Sequence, residues 1–151
     1  MNSLMVRQAV LADLDNLVPL FDEYRQFYGR SSDNDAAREF LLARFNHSES
    51  VLFLAALNGK YVGFVQLYPS FSSVSLARIF ILNDLYVSPE ARNSGVAKRL
   101  LEAACEYASS LGAVRLTLST SVTNETAQNL YRSAGWKRDE LFHVFHFTLP
   151  Q

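Results

Sequence analysis

The segment Leu85-Tyr86-Val87-Ser88-Pro89-Glu90-Ala91-Arg92-Asn93-Ser94-Gly95-Val96-Ala97 has the make-up of an anion-binding turn. It reads as the end of a strand, a polar connection and the start of a helix, with Arg-x-x-Gly-x-Ala at the turn. A helix N-terminus carries unpaired backbone N–H groups and the positive end of the helix dipole. Such an end binds phosphate. Gly95 and Ala97 remove side-chain bulk, so a diphosphate can approach the backbone, and Arg92 and Lys98 add positive charge at the rim. The same pattern also fits an ordinary capped loop, because short glycine patterns recur in unrelated proteins.

The elements around this turn must position it. Residues 4–10 read as a first strand. Asp13 and Asp15 open a helix in which Leu14, Leu17, Val18, Phe21, Tyr24 and Phe27 or Tyr28 recur at helical spacing. A second helix is expected over about 35–45, with Ala36, Phe40, Leu41 and Phe45 inward and Ser32 and Asp35 as a capping pair. Two β-rich runs, 51–57 and 60–68, flank Asn58-Gly59, a dipeptide suited to the positive φ angles of a tight hairpin. Pro69 is expected to end the second run, 70–73 to form a loop, and 74–87 to return as a long strand, irregular in its middle.

Beyond the polar turn, Val96, Leu100, Leu101, Ala104, Ala108 and Leu111 make an apolar helical stripe that Gly112 stops. Residues 114–120 read as a strand. A short helix follows from Asn124 to Ala134, and Trp136 and 141–149 supply the last strands. Alternating strands and helices indicate an α/β or α+β sheet domain.

The chain has 151 residues, which favours a single domain over 1–151. That size buries about 70% of its unfolded surface. Hydrophobic residues are 49% and charged residues 19%, a globular composition. Fourteen Lys and Arg against 15 Asp and Glu leave a net charge of -1. Such balance gives no general field for nucleic acid or an anionic membrane. Cys105 is the only cysteine, so no internal disulfide forms and a cytoplasmic location is expected. The first residues lack a charged stretch followed by a long apolar run, so no signal peptide is expected, and no apolar stretch reaches the length of a membrane span.

Downstream of the turn, Asn124-Glu125-Thr126-Ala127 and Asn129-Leu130-Tyr131-Arg132-Ser133-Ala134-Gly135-Trp136 complete a second motif. Together the two segments resemble the GNAT N-acetyltransferases, whose signature is a Gln/Arg-x-x-Gly-x-Gly/Ala loop after a strand ending in Leu-x-Val, followed by an Asn…Ala…Tyr…Gly-Trp/Phe segment. The chain also resembles the small HPA-like subgroup. The resemblance implies a mixed α/β, strongly twisted sheet that splays open beside Val87, with helices on both faces. It implies acetyl-CoA as cosubstrate and no metal. Arg92, Asn93, Ser94, Gly95, Val96, Ala97 and Lys98 would hold its pyrophosphate. Leu85, Tyr86 and Val87 would pair with the pantetheine arm, and Asn124 would hydrogen-bond that arm.

Acetyl transfer to an amine needs an amine stripped of a proton, a stabilised carbonyl oxygen and a protonated thiolate. By resemblance, Tyr131 supplies the last proton. Where many relatives carry Glu-Asp, this chain has Asn83-Asp84. Asn83 cannot take a proton. Asp84 acts as a base directly or through water, binds a cationic substrate, or makes only a structural hydrogen bond. Tyr24, Phe27, Tyr28, Tyr68 and Phe71, with Asn83 and nearby carboxylates, suit a small cationic primary amine, a polyamine or an amino-acid-like one. A protein lysine is the alternative acceptor, and a CoA-binding protein without turnover is a third reading. Cys105 is expected to pack near the apolar side of its helix, and His143 and His146, three apart in a strand, cannot form a metal pair. Residues 141–149 carry apolar side chains on both faces, so a homodimer through this strand is expected.

Overall fold

The computed structural model describes residues 3–151. Met1 and Asn2, part of the stretch weighed as a leader, lie outside the described residues. The chain divides into two compact units, Met1–Ser119 and Thr120–Gln151.

The first unit is built on a five-stranded mixed sheet of order β1-β2-β3-β4-β5. The strands are β1 (Leu4–Gln8), β2 (Val51–Leu57), β3 (Lys60–Ser72), β4 (Ala77–Val87) and β5 (Leu116–Thr117). All neighbours are antiparallel except β4 and β5. Three helices join them: α1 (Leu14–Phe27), α2 (Asn34–Asn46) and α3 (Val96–Ser110).

Side chains alternate across the sheet. Leu52, Leu54, Phe64 and Tyr86 share a buried cluster with Leu17, Val18, Phe21, Ala37 and Leu41 of α1 and α2. The intervening residues face α3: Phe53 and Phe80 meet Tyr107 with ring centroids 5.6 and 5.7 Å apart. Helices therefore cover both faces, as expected.

The hairpin forms as the sequence requires, with Asn58 and Gly59 at φ 53° and 83°. Pro69 does not end β3, which runs on to Ser72. Beyond Leu67 this strand is paired to β4 alone, and a one-sided strand tolerates a residue without an N–H. The turn is Ser73 to Leu76, so β4 starts at Ala77 rather than Val74. The irregularity expected in β4 is a bulge. Gln66 pairs with Asp84 and Leu67 with Leu82, which leaves Asn83 as the extra residue.

Three helix details differ from expectation. Asp33, not Ser32, caps α2, its carboxylate accepting from the Ala36 N–H at 3.0 Å. The inward stripe is therefore Ala37 and Leu41, while Ala36 and Phe40 are exposed. Ser32 instead donates to the buried Asp22 carboxylate at 2.6 Å, which also accepts from Asp33 N–H and Gln26 and fastens the 28–33 connection to α1. Phe27 and Tyr28 lie past the buried part of α1 and are exposed. On α3, Leu111 and Cys105 are exposed as well; Cys105 sits about 100° around the helix from Ala104, off the buried stripe.

The second unit holds α4 (Glu125–Ser133), and the expected last strands are absent from it. Residues 136–151 form neither helix nor strand. A strand needs a hydrogen-bonding partner, and this unit has no second one to pair with. The strand at 114–120 is likewise cut to Leu116–Thr117, which pair with Phe80 and Ile81 of β4.

Candidate active site

The free edge of β4 is the first component. Phe80 and Ile81 pair with Leu116 and Thr117, and there the ladder with β5 stops. From Leu82 to Val87 the strand is bonded to β3 only, among the described strands. The bulge at Asn83 separates the two halves, and a bulge bends and twists the strand that carries it. Leu85, Tyr86 and Val87 thus lie on a stretch whose outer backbone groups pair with no described strand.

Gly63 lets β3 approach this stretch closely. A Cβ on Gly63 would lie 2.7 Å from the Tyr86 carbonyl oxygen. Gly63→Ala should therefore force β3 and β4 apart and destabilise the protein by about 1–3 kcal/mol. Chemical denaturation measures this, and unchanged stability would contradict the close approach.

The anion-binding turn follows Val87. Ser88 is buried, and its N–H bonds the Val62 carbonyl at 2.8 Å. Pro89–Ala91 makes one tight turn, and Arg92 Nε donates to the Val87 carbonyl at 3.1 Å. Its guanidinium carbon is 5.8 Å from the centre of the Phe27 ring. Asn93 and Gly95 both adopt left-handed backbone, φ 63° and 78°. A Cβ at Gly95 would meet nothing within 4 Å, so the glycine answers to its φ rather than to crowding by the protein. No side chain caps α3, and no acidic residue stands in its first turn. Its first N–H groups thus keep the polarity that holds phosphate. Val96 is buried beneath the turn, while Arg92, Asn93, Ser94 and Lys98 are exposed.

The third component is a buried carboxylate. Asp84 is 3% exposed and sits on β4 between the bulge and Leu85. Gln66 Nε2 donates to its Oδ2 at 2.6 Å, and Asn83 Nδ2 donates to Oδ1 at 3.0 Å. The Tyr24 hydroxyl reaches the Asn83 carbonyl at 3.4 Å and also favours the charged carboxylate. Burial works the other way and wins: the Asp84 carboxyl is pushed above the usual carboxylate range. Burial and the Asp84 charge together hold the Tyr24 and Tyr68 phenols protonated well above their ordinary values.

Aromatic rings pack around Tyr24, which stands beside this carboxylate. Tyr24 lies 5.1 Å from Tyr28, 5.8 Å from Phe64 and 6.1 Å from Tyr86, ring centre to ring centre, all near edge-on. The first unit therefore gathers Tyr24, Tyr28, Asn83, Asp84 and Tyr86 from α1 and β4, residues far apart in sequence.

The second unit carries the other two expected residues. Asn124 caps α4, its Oδ1 accepting from the Ala127 N–H at 3.1 Å. Tyr131 is half-buried on α4, and its ring centre lies 6.0 Å from that of Trp136. The Trp136 N–H bonds the Tyr131 carbonyl at 2.9 Å, after Gly135 has turned the chain with φ 95°.

The Acetyltransferase (GNAT) family profile matches residues 17–136. An uncharacterized N-acetyltransferase of Bacillus subtilis, YhfO, is 47% identical over 96% of this chain and 97% of its own length. A crystal structure of a probable acetyltransferase, 46% identical, superposes with a TM-score of 0.93 over 97% of this chain and 99% of that one. A Bos taurus protein named thialysine N-epsilon-acetyltransferase is 28% identical over 95% of this chain and 91% of its own length. The chain belongs to the GNAT acetyltransferase family.

GNAT acetyltransferases use acetyl-CoA. The uncapped α3 N-terminus, the left-handed Asn93 and Gly95, and the unpaired β4 edge fit a diphosphate followed by an extended amide-bearing arm. Among the described residues, no helix is long and apolar enough to cross a membrane and no group of His, Cys, Asp and Glu is arranged to hold a metal. Sequence reasoning missed one residue of the candidate site, Gln66, which is fully buried and bonded to Asp84. Its signal was present: a lone amide inside the apolar run Val62-Gly63-Phe64-Val65-Gln66-Leu67. A polar side chain there must find a buried partner.

Proposed function

We propose that this acetyltransferase moves the acetyl group to a small cationic primary amine, by direct attack in a ternary complex. The observation that carries this reading is the buried Asp84 carboxylate, flanked by Tyr24 and Tyr68, on the stretch of β4 that is bonded to β3 alone. An ammonium group favours both a carboxylate and aromatic faces.

Acetyl-CoA supplies an acetyl group already activated as a thioester. Residues 92–98 and the α3 N-terminus hold its pyrophosphate. The backbone of Leu85, Tyr86 and Val87 pairs with the arm and offers N–H groups to the carbonyl oxygen as charge develops there. Asn124 also bonds the arm; with Oδ1 used in capping α4, its amide nitrogen is the donor. Asp84 accepts one proton from the ammonium, directly or through a water. As the nitrogen–carbon bond replaces the carbon–sulfur bond, Tyr131 gives a proton to the departing sulfur; the second proton, lost from the nitrogen as the amide forms, restores the phenol, and Asp84 releases its proton to solvent. Asn83 and Tyr28, with Tyr24 and Tyr68, line the acceptor side.

The bovine relative is named for acetylation at an ε nitrogen, which supports an amine at the end of a flexible chain, as in an amino-acid-like substrate. A turnover screen with polyamines, amino acids, aminoglycosides and a lysine peptide tests the substrate. Activity on the peptide alone would overturn the small-amine reading, and binding without turnover of any amine would favour a sensor. The cofactor reading has its own check. Acetyl-CoA at 100 times its Kd should add about 2.7 kcal/mol to stability, seen as a higher Tm. An unchanged Tm at millimolar acetyl-CoA would contradict the site.

The molecule works as a homodimer in this reading. Leu141, Phe142, Val144, Phe145, Phe147 and Leu149 are all exposed, a run of apolar surface that favours cover by a second subunit. A monomer mass by light scattering at micromolar concentration would remove the dimer.

A further inference from the structure

Gln66 is the polar group that the reaction scheme leaves unused. It is fully buried on β3, directly across from Asp84 in the ladder. A carboxylate only accepts hydrogen bonds, so the amide must turn its nitrogen toward Asp84. The observed bond, Nε2 to Oδ2, is 2.6 Å. The cost appears on the other side of the amide: Gln66 Oε1 is buried and has no partner. A side chain kept for packing alone would be better served by a leucine or methionine of the same volume, with no orphaned acceptor. The orphan therefore points to what the nitrogen does.

We propose that Gln66 is a positioning residue for the acetyl-transfer step: its Nε2–H fixes the Asp84 carboxylate in orientation and in its charged, proton-accepting form. The inference rests on the reading of Asp84 as the proton acceptor. Two amide donors divide the work. Asn83 Nδ2 holds Oδ1 from the bulge, where the side chain is exposed, while Gln66 holds Oδ2 from inside the sheet. The groups facing Asp84 are Tyr24 from α1, Gln66 and Tyr68 from β3, and Asn83 from β4. The two phenols are the titratable ones, and both stay protonated across the working range, so neither supplies a competing titration.

The test is a carboxyl NMR titration of Asp84 in the full-length wild type, Gln66→Met and Gln66→Glu, together with the pH profile of kcat/KM for the best amine of the screen. Losing a hydrogen bond to the charged form should raise the Asp84 midpoint by about one to two pH units in Gln66→Met. In Gln66→Glu a second carboxylate shares the site, and the upper step of the pair should lie above the wild-type midpoint. The acid limb of kcat/KM should move up with it, while KM for acetyl-CoA stays unchanged. Gln66→Glu is nearly isosteric and carries the test if Gln66→Met fails to fold. Unmoved midpoints in folded variants overturn the role of Gln66 and leave Asp84 as the acceptor. A moved midpoint with an unmoved acid limb overturns Asp84 as the acceptor, and the catalytic role of Gln66 falls with it.

Discussion

Tyr131→Phe should lower kcat by about 10²- to 10⁴-fold, the usual cost of losing a general acid. The substitution removes one hydroxyl. The ring, its 6.0 Å contact with Trp136 and the helix that carries it are retained. Folding should be intact, and KM for acetyl-CoA should change little, because the phenol is assigned to the departing sulfur and not to the pyrophosphate or the arm. The loss belongs to kcat, since an interaction made only as charge develops on sulfur does nothing for ground-state binding. Steady-state kinetics on any amine from the screen measures it. A variant with wild-type kcat would remove Tyr131 from the chemistry and leave its ring as a packing element of α4.

Asp84→Asn should slow turnover by about 10²- to 10⁴-fold, for loss of the proton acceptor, and should at the same time raise the melting temperature. The second half follows from the raised carboxyl. A carboxylic acid whose folded value lies above its unfolded one is more readily protonated in the folded state. Its contribution to stability is therefore most favourable below the unfolded value. It declines as pH rises through the window between the unfolded and folded values, and above that window ionised Asp84 is a constant penalty. An asparagine carries no charge to bury. Its side-chain oxygen can still accept from Gln66 Nε2, and its N–H2 then faces Asn83, whose exposed amide can turn its own oxygen to accept. Wild type should thus gain stability relative to Asp84→Asn as pH falls through that window. Melting curves across pH, read beside kcat, check both effects. A variant that melts lower than wild type at neutral pH would mean the bonds from Gln66 and Asn83 outweigh burial. Full activity would mean that water alone carries the proton.

The exposed terminal apolar residues mark where local pattern and final structure part. Residues 141–149 alternate well enough for a strand, yet they form none. Pattern states which residues would share a face, but a ladder needs a partner edge. Pro69 erred in the opposite direction: locally a strand breaker, it is tolerated where β3 is bonded on one side only. In both places the deciding quantity was a neighbour distant in sequence.

What the sequence determined by itself was local. Asn58-Gly59 required positive φ angles and produced the hairpin; the stripe of Val96, Leu100, Leu101, Ala104 and Ala108 produced the buried face of α3; Arg92 to Ala97 produced a turn entering a helix with bare N–H groups. Each of these follows from backbone sterics or a 3.6-residue period, which act over a few residues. The paired motifs also sufficed to indicate the family. Tertiary structure alone decided that Asp84 is buried, that Asn83 is the bulged residue, and that Tyr24 from α1 and Gln66 from β3 meet there. An ionisable group takes its proton affinity from desolvation and from partners supplied by other strands and helices, and neither is written in the residues beside it.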